Sequence, residues 1–130
     1  MRVLGNDRIK ILIQDGITKD THTLYCREPT TEEKIKYRIE LIQMKDGKVD
    51  AENLFKTRIK YASMVLIGFE KGTLKYDGKI ISSDPNDSDY YAEWKSLFEK
   101  YLSDILELIA QKIFETQGEV ISEDFFTGNS

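Results

Sequence analysis

A chain of 130 residues is long enough for one hydrophobic core and too short for two ordinary domains. Apolar residues make up 40% of the sequence and charged residues 32%, a balance typical of soluble folded domains and not of disordered chains. The formal net charge of -4, with both signs mixed along the chain, argues against nucleic acid as the default partner, because nucleic-acid binders carry a basic excess or a basic stripe.

Features of the sequence that bear on its compartment point to the cytoplasm. Cys26 is the only cysteine, so no intramolecular disulfide can form, which suits a reducing compartment. The opening residues MRVLGNDRIK lack the apolar run of a signal peptide. The longest uncharged apolar stretch, YASMVLIGF, is far shorter than the roughly 20 residues that a membrane helix needs. We therefore expect no membrane partner.

Alternating residue types predict a β-hairpin near the N-terminus. Along RIKILIQ, residues 8–14, apolar and polar side chains alternate with period two, which is typical of a half-buried strand. Asp15-Gly16 is a favoured hairpin turn pair, and it predicts a second strand over about 17–26.

The stretch YCREPTTEEKIKYR predicts a joint between that strand and a helix. Pro29 disfavours helix at the residue before it. Thr30 and Glu33 have the spacing of a capping box, in which each side chain accepts a hydrogen bond from the backbone N–H of the other. The helix is predicted to end near Met44, stopped by Asp46-Gly47. Its apolar stripe consists of Ile35, Ile39 and Ile42, and the apolar residues that flank this stripe are Tyr37, Leu41 and Met44.

Helical periodicity indicates a second helix, capped by Asp50 and ended by Gly72. Its first half is amphipathic, whereas residues 61–69 are apolar all round and so are buried on several sides; a strand is the alternative for this half. Basic residues on the first two helices recur at alternate positions, which do not share one face, and we expect them on a solvated surface: Lys34, Lys36, Arg38, Lys56, Arg58 and Lys60.

The next segment predicts a second hairpin and a loop. TLKYDGKII, residues 73–81, reads as two short strands around Asp77-Gly78, which is a strong hairpin signal. The polar stretch SSDPNDSD at 82–89 is a loop, and either Ser88 or Asp89 caps the helix that follows.

A long apolar-rich helix is predicted over about 90–115, with Ser103-Asp104 as a candidate break. These elements together predict one α+β domain over residues 1–115, with small N-terminal β-hairpins and a bundle-like core of three to four helices. Residues 116–130 are polar and acidic apart from Phe125-Phe126, and they predict a flexible C-terminal tail.

Residues that could carry chemistry are few. His22 and Cys26 share a face of the predicted strand but stand roughly 13 Å apart, too far for a thiol–imidazole pair, so we expect a surface histidine and a buried thiol. One histidine and one cysteine cannot make a zinc site. No glycine-rich phosphate loop is present in the sequence. These observations favour a protein with no catalytic residue, metal or cofactor.

The acidic loop is a separate case, because Asp84, Asn86 and Ser88 begin like a calcium-binding loop. The spacing then fails, since Asp89 stands where glycine is needed and Lys95 where a bidentate glutamate is needed. A solvated loop with a helix cap is the simpler interpretation. A small enzyme acting through the carboxylates of residues 84–93 stays open as a hypothesis from another class.

A surplus of apolar surface on the second and third helices is the remaining functional signal. Two small hairpins and one short helix do not obviously cover all of it, and a small domain with uncovered helix faces tends to associate. This predicts a protein-interaction module that forms homo-oligomers. A compact monomer in which both helices are central explains the same pattern equally well.

Four segments carry a resemblance to a known family. They are REPTTEEKIKY, TRIKYASMVLIGFEKG, ISSDP and YAEWKSLFEKYLSDILELIAQKIFE, and they span roughly residues 24–115. In this order they resemble the tail assembly chaperones of long-tailed bacteriophages and prophages.

The resemblance implies a non-enzymatic function in the cytoplasm of a bacterial host. Proteins of that family coat the tape-measure protein until tail tube protein polymerises around it, and they associate with themselves. Some are also made as a frameshifted longer form that recruits the tube protein. The expected partners are therefore the tape-measure protein, the tail tube protein and further copies of the chain, with no nucleic acid.

The residues singled out for protein binding are Arg27, Phe55, Ile59, Trp94, Tyr101 and Ile105, with Pro29 and Thr30 at the joint serving structure. For Arg27 both a structural and a binding role stay open, because neither the strand end nor the helix cap requires a guanidinium there. For Trp94 the core is the favoured position and an interface is the alternative. The strands predicted at the N-terminus exceed what a mostly helical chaperone requires, and they leave two alternatives: a structural tail component such as a tube or connector protein, or an uncharacterised interaction domain.

Overall fold

The computed structural model describes residues 1–121, and its fold is α+β, which confirms the predicted class. In chain order the elements are β1 (Ile9–Gln14), β2 (Thr21–Cys26), α1 (Thr31–Leu41), β3 (Met44–Lys45), β4 (Lys48–Val49), α2 (Ala51–Val65), β5 (Leu66–Phe69), β6 (Lys75–Tyr76), β7 (Lys79–Ile80), α3 (Trp94–Tyr101), α4 (Ser103–Ala110) and a π-helical turn (Gln111–Glu115). The hairpin predicted around Asp77-Gly78 is confirmed as β6 and β7.

The first hairpin has a longer loop than its turn pair predicted. Gln14 pairs with Thr21, so β2 begins at Thr21 and not near residue 17. The reason lies in Asp15, whose carboxylate accepts hydrogen bonds from the backbone N–H groups of Ile17 and Thr18 at 2.8 and 3.2 Å. This local Asx-type turn competes with the two-residue turn and opens the loop.

The second helix ends at Val65, so the predicted extension to Gly72 is wrong and the alternative strand is correct. Residues Leu66–Phe69 form β5, which pairs antiparallel with β2 and completes a sheet of order β1-β2-β5. A run that is apolar all round is compatible with a buried strand as well as with a buried helix. Here it forms a strand, because its backbone can hydrogen-bond to the side of β2 that β1 leaves unpaired.

The first helix ends at Leu41, three residues earlier than predicted. Met44–Lys45 then pairs with Lys48–Val49 around Asp46 and Gly47, whose φ angles are 54° and 76°. Positive φ at both central residues is the geometry of a type I′ hairpin turn, for which Asp-Gly is a preferred pair. The signal interpreted as a helix stop is therefore a hairpin turn.

The long third helix is two helices in the structure. Helix α3 ends at Tyr101 and α4 begins at Ser103, which confirms the candidate break. The predicted cap at Ser88 or Asp89 is wrong, since α3 begins at Trp94 behind Glu93, whose side chain makes no capping hydrogen bond.

The core lies between the sheet and the packed helices α2 and α4, with α1 against α2 and α3 against α4. One aromatic cluster joins β5 to α3, with ring centroids of Phe69, Trp94 and Phe98 at 5.5 to 5.7 Å. Within residues 1–121, no helix has both the length and the apolar character to cross a membrane. Residues 116–121 are exposed and outside regular secondary structure, and residues 122–130 of the predicted tail lie outside the described part of the chain.

Candidate functional site

Helix α1 presents its apolar stripe to solvent. Ile35, Ile39 and Ile42 are 52%, 58% and 70% exposed. At 100° per residue, positions i, i+4 and i+7 fall within an arc of about 60°, so the three side chains form one continuous surface. We call this surface the isoleucine face. The usual expectation for an amphipathic helix, that such a stripe faces the core, is wrong for this helix.

The opposite side of α1 is anchored by an aromatic side chain. Tyr37 is completely buried, and its ring lies 4.5 Å from that of Phe114 and 5.3 Å from that of Tyr61, measured between centroids. Its hydroxyl donates a hydrogen bond to the carboxylate of Glu115. Burial, and then the Glu115 carboxylate, raise the pKa of the Tyr37 hydroxyl. Tyr37 therefore stays neutral and holds this side of α1 against the core.

Arg58 completes that anchor from helix α2. Its guanidinium donates two hydrogen bonds of 3.0 Å to Glu115, and its side chain is only 16% exposed. The prediction of a solvated basic surface is therefore wrong for Arg58. Burial opposes ionisation of Glu115, but the hydrogen bonds from Arg58 and Tyr37 outweigh it and lower the pKa of that carboxyl. The result is a bidentate pair of the strong, geometrically specific kind.

The N-terminal end of α1 is fixed by the predicted capping box and by one additional partner. Thr30 and Glu33 exchange the two expected hydrogen bonds, at 2.9 and 3.3 Å. Arg27 then donates two hydrogen bonds of 2.7 and 2.8 Å to the Glu33 carboxylate. The hydrogen bonds from Arg27 lower the pKa of Glu33 to about 2. Burial acts in the opposite direction, and the hydrogen bond from the Thr30 backbone N–H lowers the pKa further. The guanidinium thus has a structural partner that sequence reasoning missed, although it lies only six residues away.

The C-terminal end of α1 is tied to α2 through Glu40. Its carboxylate accepts hydrogen bonds from the Tyr61 hydroxyl at 3.0 Å and from the Lys60 ammonium at 3.2 Å. Its backbone carbonyl accepts a hydrogen bond from the Asn53 side chain. Polar contacts at both ends and the middle of α1 therefore set which side it turns inwards.

The β3–β4 hairpin extends the exposed apolar surface past the end of α1. Met44 and Val49 are cross-strand partners and are 61% and 63% exposed. On the other side of this hairpin Lys45 stands opposite Lys48, a like-charge pairing that a two-stranded ribbon does not favour.

The residues predicted to bind a partner fall into two groups. Trp94 and Ile105 are 7% and 1% exposed, so they belong to the core and not to a surface. Phe55 and Tyr101 are exposed, and Ile59 is partly buried against the core. Tyr101 lies at the rim of an apolar cavity of about 280 Å³ between α3 and the β6–β7 hairpin. The structure therefore removes two of the predicted binding residues from the surface and adds the isoleucine face.

His22 is buried, contrary to the predicted surface position. One ring nitrogen lies 2.9 Å from the Asp15 carboxylate and the other 2.8 Å from the Thr73 hydroxyl. The hydrogen bond from His22 lowers the pKa of Asp15 to about 2. This network ties the β1–β2 loop to the segment before β6. The buried thiol of Cys26 is as predicted, and burial raises its pKa to about 12, so it is not a ready nucleophile.

The acidic side chains of the loop at residues 82–89 make their contacts within the chain. Asp84 accepts a hydrogen bond from the backbone of Asn86 at 2.9 Å. Lys71 pairs with both Asp87 and Asp89, at 3.0 and 2.5 Å. Among residues 1–121, no group of three or more histidine, cysteine or acidic side chains is placed to hold a metal ion.

Comparison with protein-family models, with curated proteins and with solved structures finds no match for this chain.

Proposed function

We propose that this chain is a non-enzymatic assembly chaperone of a phage or prophage tail, which acts in the bacterial cytoplasm by binding the tape-measure protein and associating with itself. The observation that carries the proposal is the isoleucine face, an apolar helix surface turned away from the core. The family resemblance of residues 24–115 supplies the identity of the partner, and the tail tube protein is the expected later partner.

The isoleucine face has the form that an amphipathic helix recognises. Its three side chains recur at the i, i+4 and i+7 spacing used in helix-to-helix docking. Together with Met44 and Val49 it continues onto the β3–β4 hairpin. Each of these half-exposed side chains contributes about 1 kcal/mol when a partner covers it. A tape-measure protein is a long helix with an exposed apolar stripe, and such a surface would keep it soluble.

The charges around the isoleucine face define the partner further. Within residues 1–121 no carboxylate lies within ion-pairing distance of Lys34 or Arg38, which neighbour the isoleucines along α1. The same holds for Lys45 and Lys48, which lie on the other side of the β3–β4 hairpin from Met44 and Val49. These free cations stand out in a chain whose net charge is -4. A partner helix with acidic residues beside its apolar stripe would neutralise them and would associate faster at low salt.

The test is co-expression of the tagged chain with the tape-measure protein encoded in the same phage or prophage. Ile39→Asp places a charge at the centre of the isoleucine face, and Ile17→Asp is the matched control, because Ile17 is 90% exposed in the β1–β2 loop. We expect the wild type and the control to recover the tape-measure protein in soluble form. We expect Ile39→Asp to recover about tenfold less, with an unchanged circular dichroism spectrum.

Two results would contradict the proposal. One is equal recovery with Ile39→Asp and Ile17→Asp, and the other is no recovery by the wild type. Finished tails give a separate check on the alternative of a tube or connector protein. A chaperone is absent from purified tails, whereas a structural component is present in them.

A further inference from the structure

The two edges of the β1-β2-β5 sheet are treated differently. At the β5 edge, the Ser83 hydroxyl accepts a hydrogen bond from the Phe69 N–H at 3.0 Å and lies 3.3 Å from the Phe69 carbonyl oxygen. Ser83 also lies so close to Gly68 that a Cβ there would come within 3.1 Å of its oxygen. The β5 edge is thus capped by the chain itself, which is one way in which proteins protect an edge strand.

The β1 edge carries no such cap within residues 1–121. It is the longer edge strand, with six residues against four in β5. A groove of about 500 Å³ runs along it, lined by consecutive residues 10–14 on one side and by Leu108 and Lys112 on the other. Leu12 is 61% and Leu108 47% exposed beside this groove. An open, apolar edge strand is a template for a further strand.

The hydrogen bonding of the sheet shows which backbone groups of β1 face outwards. The Asp15 N–H bonds to the Asp20 carbonyl at 2.7 Å, so this pair, and every second pair along β1 and β2, is hydrogen-bonded. The Thr23 carbonyl turns the other way and accepts from Glu70 beyond β5, as that alternation requires. It follows that the N–H and C=O groups of the residues at even positions point out of the free edge: Lys10, Leu12 and Gln14.

We infer that the β1 edge is the self-association surface, where a second copy of the chain adds its own β1 antiparallel across a two-fold axis at Leu12. This inference deepens the self-association within the proposed function and rests on it, but it uses a surface different from the isoleucine face. In this register Lys10 lies opposite Gln14 of the second copy, and Leu12 lies opposite Leu12. Every outward-facing residue of β1 then exchanges its backbone hydrogen bonds with an outward-facing residue.

Side-chain chemistry agrees with this register. An isologous interface must be self-complementary. Centring the pair on Leu12 covers the exposed leucine with its own copy and sets Ile11 opposite Ile13 on the core side, so the apolar layer beneath the sheet continues. Centring it on Lys10 would set two ammonium groups opposite each other, which is unfavourable. Leu108 of helix α4 lies beside the same groove and gives the second copy further apolar contact.

The first test is sedimentation velocity over a concentration series with wild type, Leu12→Lys and Ile17→Lys. We expect the wild type to form a species of twice the 15.1 kDa chain mass. Leu12→Lys places like charges opposite each other on the two-fold axis, and we expect it to weaken dimerisation at least about tenfold. Ile17→Lys makes the same change at another exposed apolar residue and should leave the dimer intact. Unchanged circular dichroism spectra establish that both variants fold.

The register is tested by oxidation of two variants, each of which adds one cysteine to the chain. The Cβ atoms at position 12 would lie roughly 5 Å apart across the axis, so Leu12→Cys should form a disulfide-linked dimer. Two cysteines at position 10 would be separated by roughly 14 Å along the strands, so Lys10→Cys should not cross-link. Cys26 is buried and present in both variants, which makes the wild type the blank.

Each outcome decides the inference independently of tape-measure binding. A wild type that stays monomeric, a Leu12→Lys variant that dimerises as well as the wild type, or preferential cross-linking of Lys10→Cys would overturn it. A Leu12→Lys monomer that still recovers the tape-measure protein would confirm that the two surfaces are separate. Loss of tape-measure binding in Ile39→Asp, with the dimer intact, would support the proposed function and would show that the dimer does not use the isoleucine face.

Discussion

Helices α1 and α4 both carry apolar side chains along one side, and they turn these sides in opposite directions. In α4 the stripe of Ile105, Leu106 and Ile109 lies in the core, where each residue is at most 1% exposed. In α1 the stripe of Ile35 and Ile39 lies outside, where both residues are more than half exposed. Helix α4 thus follows the rule that an amphipathic helix turns its apolar side to the core, and helix α1 does not.

The difference shows what sets the orientation of a helix. Helix α4 is surrounded by α2, α3 and β1, so burying its apolar side is the dominant gain. Helix α1 packs on α2 and, through Tyr37, on the π-helical turn. Its inward side also carries two acidic residues that have partners at fixed positions, Glu33 and Glu40. Turning α1 over would break these pairs and would remove the Tyr37 ring from its contacts with Tyr61 and Phe114.

The largest expected effect tests the buried stripe. Ile109→Ala removes three carbon atoms from a completely buried position on α4. We expect it to lower the free energy of unfolding by about 3 kcal/mol, because the transfer of apolar surface and the remaining cavity both contribute. Unfolding in urea, followed by circular dichroism, measures the change.

Ile39→Ala is the matched substitution on the exposed stripe. It should change the free energy of unfolding by less than about 0.5 kcal/mol, because the side chain is solvated and alanine favours helix slightly more than isoleucine. A loss of similar size at both positions would contradict the comparison, and it would indicate that the isoleucine face is covered in the native protein.

A second prediction concerns the anchor of the inward side of α1. Arg58→Met leaves the Glu115 carboxylate beside a buried tyrosine without its bidentate partner. We expect a loss of about 2 kcal/mol, below the value for a fully buried ion pair because Glu115 keeps some contact with solvent. Urea unfolding of Arg58→Met and of Arg58→Met with Glu115→Gln measures it.

The double variant is the informative control, since removing the second charge should restore part of the loss. Lys56→Met removes a cation from the exposed side of the same helix, where it pairs with Glu52, and should leave stability unchanged. No recovery in the double variant would mean that Arg58 acts through packing of its side chain and not through the charge of Glu115.

Sequence reasoning succeeded where a signal is local. The capping box of Thr30 and Glu33, the strand β1 and the Asp77-Gly78 hairpin all follow from spacings of two or three residues. It failed where a distant partner decides the outcome. Residues 66–69 become a strand because β2 has an unpaired side 40 residues earlier in the chain, and no local pattern contains that fact.

The candidate site was harder to predict for the same reason. The periodicity of the isoleucines was clear, but the side that α1 buries depends on Arg58 and Glu115, which lie 21 and 78 residues after Tyr37. The sequence pattern places Trp94 and Ile105 among the binding residues because two hairpins and one short helix do not obviously cover their helices, whereas both side chains are buried in the structure. One sequence signal for the ion pair between Arg27 and Glu33 was present. Both residues lie three positions from the helix cap Thr30, one before it and one after it.

The smallest expected effect concerns that pair and depends on pH. Folding lowers the pKa of Glu33 from its ordinary value near 4.5 to about 2, so its contribution to stability is complete above pH 4.5 and is lost as the pH falls towards 2. We expect Glu33→Gln to lower the free energy of unfolding by about 1 kcal/mol at neutral pH, because the amide keeps part of the cap and loses the charge. The gap to the wild type should narrow as the pH falls from 5 to 2.

Asp15, whose pKa is also lowered to about 2, loses its contribution over a similar range in both proteins, so it cancels from the difference. Glu32→Gln is the matched control, since Glu32 is 77% exposed and, among residues 1–121, pairs with Lys36 alone on the helix surface. Unfolding in urea at a series of pH values gives the free energy of unfolding against pH for the wild type, Glu33→Gln and Glu32→Gln. A gap that stays constant down to pH 2 would show that Glu33 holds α1 by shape and capping geometry. The charged contacts that orient the isoleucine face would then be those of Glu115 with Arg58 and of Glu40 with Lys60.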